Sequence, residues 1–130
     1  MDYFPEDLLG AHTKLIMDPV HGGIPLFPHE VAIIDHPLFQ RLRNICQNDI
    51  LSLVFPGATH SRFLHSIGVM HVGERIFLSM VKSYLESKRH KAKSSTTKAQ
   101  FFAIDYFNKV IRLACLLHDC GHSSFSHQFT

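Results

Sequence analysis

Leu116-Leu117-His118-Asp119-Cys120-Gly121-His122 sets an imidazole and a carboxylate side by side at the end of an apolar helical stretch. Polar side chains are costly to bury there unless something binds them. A divalent metal ion accounts for both residues at once, because neutral imidazole and carboxylate are the usual ligands of a hydrolytic cation. Such an ion needs further ligands from elsewhere in the chain and a place for substrate beside it.

Working outward, Gln100 to Cys120 reads as the helix that delivers the pair, with Phe107, Val110, Ala114 and Leu117 on one face. Ser87 to Lys98 is rich in Lys, Arg, Ser and Thr, the composition of a solvated loop, with contact to nucleic acid or phosphate as the alternative. A long helix is expected from His60 or Ser61 to about Glu86, carrying Ile67, Met70, Ile76, Phe77, Met80, Val81 and Tyr84 as an apolar stripe. Within it, Gly68 and Gly73 lower helix propensity but permit close packing. Ile50 to Phe55 reads as a short strand-like run ended by Pro56-Gly57. A helix is expected over His29 to Asp35, and Pro37 restarts a second one, with Leu38, Leu42 and Ile45 on its apolar face. Lys14 to Leu26 reads as a β-hairpin: Asp18-Pro19 starts the turn, and Gly22-Gly23 supplies the positive φ of a tight reversal. The expected fold is mainly α with a small N-terminal β-hairpin, in one domain over residues 1–130 whose polar loop lies near 87–99.

Composition bounds the class of protein. With 45% hydrophobic and 18% charged residues in a chain of 130, the sequence is that of a globular domain, not a disordered one. Thirteen Lys and Arg against eleven Asp and Glu leave a net charge of +2, too little for a nucleic-acid footprint read from charge alone. Three cysteines, Cys46, Cys115 and Cys120, make no even disulfide framework and favour a reducing compartment. No basic and apolar leader opens the chain and no apolar run approaches a membrane span, so the expectation is a soluble, intracellular, cytoplasmic protein without a membrane partner.

Successive helical residues point about 100° apart, so His118 and Asp119 reach one ion only near the helix edge. His65 is the upstream candidate for a further ligand. It follows Arg62 by three residues, which puts both on one helical face, and a fixed guanidinium complements phosphate oxygens. Downstream, His122 lies one turn beyond His118, and His127 follows the bend after Gly121. Imidazoles beside a metal could donate to phosphate oxygens or to a leaving group. Each has a bland counterpart: a hydrogen-bonded core histidine for His65, an ion-pair member for Arg62, and a structural zinc site or core-filling thiols for the cysteines around His118.

Arg62-Phe63-Leu64-His65-Ser66-Ile67-Gly68-Val69 and His118-Asp119-x-Gly121-His122-x-x-Phe125-Ser126-His127 resemble the H…HD core of the HD-domain phosphohydrolases. They are closer still to the deoxynucleoside triphosphate triphosphohydrolases of the type that carries an added SAM domain in mammals. Asp18-Pro19-Val20-His21-Gly22, Ile33-Ile34-Asp35-x-Pro37-x-Phe39-Gln40-Arg41-Leu42-Arg43 and Val54-Phe55-Pro56-Gly57-Ala58-x-His60 follow the same order. The resemblance covers nearly the whole chain after residue 13. It implies that His65, His118 and Asp119 bind a catalytic metal (Fe, Mn, Zn or Mg), with a more distal Asp completing the set beyond Thr130. It implies that Arg62 holds the α-phosphate, that His122 and His127 lie at the phosphates, and that Gln47 senses the deoxyribose 3′-hydroxyl. Lys14, Asp35, Gln40 and Arg43 match positions that, in regulated members, bind an activating guanine nucleotide between the subunits of a homo-oligomer; surface charge and a helix cap at Asp35 are the plainer account. The activity implied is cleavage of dNTPs, dGTP foremost, to deoxynucleoside and triphosphate. The alternatives are another HD-type nucleotide phosphatase or phosphodiesterase, or a non-catalytic nucleotide-binding remnant. Departures from the pattern are Thr130 in place of an assisting Asp, Asn48-Asp49 in place of Leu-Gly, and a longer polar loop, so that this stretch alone is expected to hold an incomplete site.

Overall fold

The computed structural model describes residues 14–48, 51–91 and 98–121. The hairpin forms as expected: β1 (Lys14–Asp18) pairs antiparallel with β2 (Gly22–Leu26), Ile16 opposite Ile24. Asp18 closes the turn by accepting from the backbone N–H groups of Val20 (2.8 Å) and His21 (2.7 Å), the Asx geometry that favours Asp before a reversal. Gly22, at φ +76°, occupies the left-handed region that costs glycine nothing. Pro25 sits within β2, where a two-stranded ribbon leaves edge positions with no amide to donate.

Helix α1 (Pro28–Ile34) starts at Pro28, and the Glu30 carboxylate turns back to accept from the Phe27 amide at 2.9 Å. That satisfies one of the amides a helix start leaves open, and it places negative charge at the positive end of the helix. His36 caps α2 (Pro37–Gln40), which continues as a 3-10 turn over Arg41–Asn44. The expected strand at 50–55 is corrected: Leu51–Val54 forms a one-turn helix, α3. Leu53, Val54 and Phe55 are exposed, with no strand alongside among the described residues, and Phe55 N–H bonds to Leu51 C=O at 2.7 Å. A short apolar run does not by itself distinguish strand from helix.

Two long helices follow. α4 (Arg62–Lys91) runs past the expected end at Glu86, and α5 (Lys98–Leu117) begins two residues early. Of the expected polar loop, residues 87–91 and 98–99 are therefore helical, and residues 92–97 lie outside the described residues. α5 also stops at Leu117, so His118, Asp119 and Cys120 lie in the turn after it. The hydrophobic core joins Ile24 and Leu26 of the hairpin to Ile34, Phe39, Leu42 and Ile45, to Phe63, Ile67 and Met70 of α4, and to Leu116 of α5. Gly73 lets the long helices close: a Cβ there would lie 2.7 Å from Cys115 Sγ. The thiol fills the seam between the helices.

The face of α5 chosen from apolar spacing is the wrong one. Phe107 is 53% exposed, and Val110 and Leu117 are also exposed; Asn108, Arg112 and Leu116 point inward instead. On α4 the stripe is buried as far as Met70, whereas Ile76, Met80 and Tyr84 are exposed. The reason is a charged interior. Arg112, 0% exposed, donates from Nε and Nη2 to both Glu30 oxygens (2.6 and 2.7 Å), from Nη1 to Glu74, and from Nη2 to Pro25 C=O at 2.8 Å. Asn108 reaches Glu74 at 3.1 Å, and the Phe27 ring lies under the guanidinium. Hairpin, α1, α4 and α5 thus meet on one cation. Burial pulls the pKa of Arg112 down, but the Glu30 hydrogen bonds and the Glu74 charge outweigh it and leave it raised.

Candidate metal centre

The start of α4 is pinned before its first turn. Arg62 N–H bonds to Ile45 C=O at 2.8 Å and Gln47 N–H to His60 C=O at 3.0 Å, around a bridge between Cys46 and Ser61. The first turn then presents Arg62 and His65 on one side, as their spacing predicts. From the opposite direction, the turn after α5 brings His118 and Asp119. Having left the helix, both can face the same way, so the ion need not sit at a helix edge as the 100° spacing had required.

His65 Nε2 lies 3.9 Å from Asp119 Oδ2, and His118 Nε2 lies 3.4 Å from Asp119 Oδ1. Donor atoms of all three residues fall within 4.8 Å of one another. The imidazole rings of His65 and His118 meet edge to face at 5.3 Å. His118 Nδ1 is 2.7 Å from the Cys115 carbonyl, a partner that can only accept. It fixes the proton on Nδ1 and leaves the Nε2 lone pair directed at Asp119, the orienting contact that metal-bound histidines use. Burial, more than any neighbouring charge, lowers the pKa of His65; His118, His60 and Arg62 lower it further against the opposing pull of Asp119. A neutral imidazole is the form that ligates. Bonds of about 2.1 Å to a divalent ion place neighbouring ligands roughly 3–4 Å apart, so these three residues fit a cation with small side-chain rotations.

Arg62 is 2% exposed, and its Nη1 donates to Asp119 Oδ2 at 2.8 Å. It is a buried ion-pair partner of the aspartate, not a surface one. Gln47 Oε1 is buried with no hydrogen-bond partner among the described residues, an acceptor open to a donor from a ligand. The remaining expected residues form two exposed pairs on the hairpin side. Lys14 Nζ lies 3.3 Å from Asp35 Oδ1, and Arg43 Nε donates to Gln40 Oε1 at 2.7 Å. The pairs are linked through Gln40 Nε2, which donates to Ile34 C=O at 2.7 Å, one residue before Asp35. The Arg43 guanidinium stacks 3.6 Å over the Phe63 ring. His122, His127 and Thr130 lie outside the described residues.

Sequence reasoning missed the Cys115 carbonyl and Arg41, whose Nη2 donates to Cys120 C=O at 2.7 Å across 79 residues. Nothing in local spacing could have found a contact of that range. Cys115, weighed as a zinc ligand, instead packs its thiol against Gly73.

A hairpin backed by paired helices is the fold that the resemblance to the HD-domain phosphohydrolases implies, and His65, His118 and Asp119 converge at its junction. Comparison with known proteins gives the particular relatives. Proteins named deoxynucleoside triphosphate triphosphohydrolase SAMHD1 from Danio rerio and Homo sapiens are each 40% identical to this chain over 116 residues, covering 89% of it. An uncharacterized protein of Methanocaldococcus jannaschii is 37% identical over 114 residues, covering 88%. The crystal structure of a hypothetical protein from Aquifex aeolicus superposes with a TM-score of 0.63 at 35% identity, over 88% of this chain and 25% of that one. No family model matches. The chain is homologous to the proteins named SAMHD1, and it spans 16% of the length of these two SAMHD1 relatives. Among the described residues, no helix is long and apolar enough to cross a membrane.

Proposed function

We propose that the protein is a metal-dependent phosphohydrolase that cleaves deoxynucleoside triphosphates, dGTP foremost, into deoxynucleoside and triphosphate. The observation that carries this reading is the convergence of His65, His118 and Asp119 donor atoms within 4.8 Å beside a buried guanidinium. A bound divalent cation (Fe, Mn, Zn or Mg) would polarise a phosphate oxygen or lower the pKa of a water. His65 and His118 supply neutral lone pairs, the second held in its tautomer by Cys115. Asp119 supplies the charge, steadied by Arg62. The same guanidinium, buried and paired with Asp119, is assigned to stabilise charge developing at the α-phosphate. His122 and His127 are assigned to the phosphates and leaving group, and Gln47 offers its unpartnered oxygen to the sugar 3′-hydroxyl. Lys14, Asp35, Gln40 and Arg43 are assigned to an activating guanine nucleotide held between subunits of a homo-oligomer; their support is the clustering of two cations and an amide around the end of α1.

Incubating the protein with each dNTP and Mn²⁺ or Mg²⁺, with and without GTP, and resolving the products tests this reading. Triphosphate and deoxynucleoside are the expected products. Release of monophosphate or single phosphate would replace the reaction assignment, and absence of any turnover under all conditions would remove the enzymatic reading.

A further inference from the structure

Among the described residues, one backbone hydrogen bond lies within the turn that carries His118 and Asp119, from Cys120 N–H to Leu117 C=O at 3.1 Å. A helix leaves its last carbonyls without intrahelical partners, and α5 ends one residue before the pair. The Cys120 carbonyl, directly beyond Asp119, is taken by Arg41 at 2.7 Å. A cation donating at the end of a helix meets both the open carbonyl and the negative end of the helix dipole.

The base from which Arg41 reaches is itself rigid. Phe39 and Leu42 on either side are buried in the core. Gln40 is tied to the Ile34 carbonyl and to Arg43, and Arg43 is stacked on Phe63, which neighbours Arg62. A charge-assisted bond from such a base localises the acceptor more tightly than a flexible surface side chain could. Arg62 and Cys115 hold the two side chains of the pair; Arg41 holds the backbone just beyond them.

We propose that Arg41 is a positioning residue for the metal centre: by bonding the Cys120 carbonyl it fixes the turn so that His118 and Asp119 face His65. This rests on the metal-binding reading above, and the two can fail separately. The test compares the whole protein with Arg41→Met, Arg41→Lys and Arg41→Gln, measuring Mn²⁺ affinity by titration calorimetry at a temperature where circular dichroism shows each folded. Loss of an outer contact to a metal ligand typically weakens binding roughly 10–100-fold, and that loss is expected for Arg41→Met. Arg41→Lys, which keeps the charge and a donor, should recover part of it. Hydrogen exchange of the metal-free protein gives an independent readout. In Arg41→Met, the amides of Cys120 and Gly121 should exchange faster while those of Ile67 and Met70 are unchanged.

A wild-type protein that binds no Mn²⁺, or binds it undiminished in His118→Ala, would sink the metal reading; the exchange result would still report on Arg41. Affinity in Arg41→Met within about threefold of wild type, well below an outer-contact effect, would overturn the proposal. Should Arg41→Met not fold, the other two variants decide. Wild-type affinity in both Arg41→Lys and Arg41→Gln would make the residue a structural cap only, and graded loss from Lys to Gln would support the proposal.

Discussion

Replacing Arg112 by Met tests the account of the interior most directly. The substitution removes four hydrogen bonds, to both Glu30 oxygens, to Glu74 and to Pro25 C=O. It leaves two carboxylates facing each other in a site that is closed to water, since Arg112 and Glu30 are fully buried. Removing one partner of a buried ion pair costs about 3–5 kcal/mol, because the remaining charge is uncompensated. For a domain of this size, the lower end of that range should depress Tm by roughly 10 °C. Urea unfolding followed by circular dichroism reads the loss as a lower midpoint at unchanged slope. A second variant separates charge from shape. Glu30→Gln and Glu74→Gln combined with Arg112→Met removes all three charges, and it should regain at least about half of the deficit, since neutral replacement of a buried ionic cluster is far cheaper than breaking it. A single-variant deficit below about 1 kcal/mol, the scale of an ordinary hydrogen bond, would refute the reasoning. So would a triple variant no more stable than Arg112→Met.

Other expectations follow from the same geometry. Asp119→Ala should destabilise by about 3–5 kcal/mol by breaking its buried ion pair with Arg62, whereas His118→Ala, whose side chain is 38% exposed, should stay within roughly 0.5 kcal/mol; denaturation of the metal-free proteins compares them. Gly73→Ala should cost about 1–3 kcal/mol by driving a methyl into Cys115 Sγ, and adding Cys115→Ala should restore most of it in the same assay. Burial, followed by the nearby His21, lowers the pKa of His71. The unfolded chain therefore binds a proton at this position first, so stability is intact above about pH 6.5 and falls as pH drops from there toward the lower folded value. His71→Gln should flatten that part of the pH–stability curve; an unchanged slope would contradict the assignment.

The parts legible in the sequence were those written in local chemistry. Asp18-Pro19 and Gly22 announce the hairpin turn, Pro28 and Pro37 mark helix starts, and the three-residue spacing of Arg62 and His65 places both at one side of α4. The His118-Asp119 pair marked two of the three residues whose donor atoms the fold brings within 4.8 Å of one another. The misread segments are those in which burial and hydrophobicity part company. At 51–54, apolar residues are exposed and no strand among the described residues lies beside them, so β-like composition decided nothing. On α5 the inward face is built from Asn108 and Arg112, and apolar spacing selected the opposite side. The contacts that organise the site, Arg62 to Asp119 and Arg41 to Cys120, span 57 and 79 residues. Their partners are fixed by the packing of α4 against α5 and of the 3-10 turn against α4.

The buried arginine also has a consequence in time. Arg112 joins residues 82 and 87 positions away in the chain, so its bonds can close only after the hairpin and both long helices have docked. Contacts of such separation form on the native side of the folding barrier unless they belong to the nucleus itself. Outside the nucleus, weakening them accelerates unfolding and leaves the folding rate almost unchanged. Arg112→Met is therefore expected to shorten the lifetime of the native state far more than it slows folding, a difference that stopped-flow unfolding and refolding rates would show.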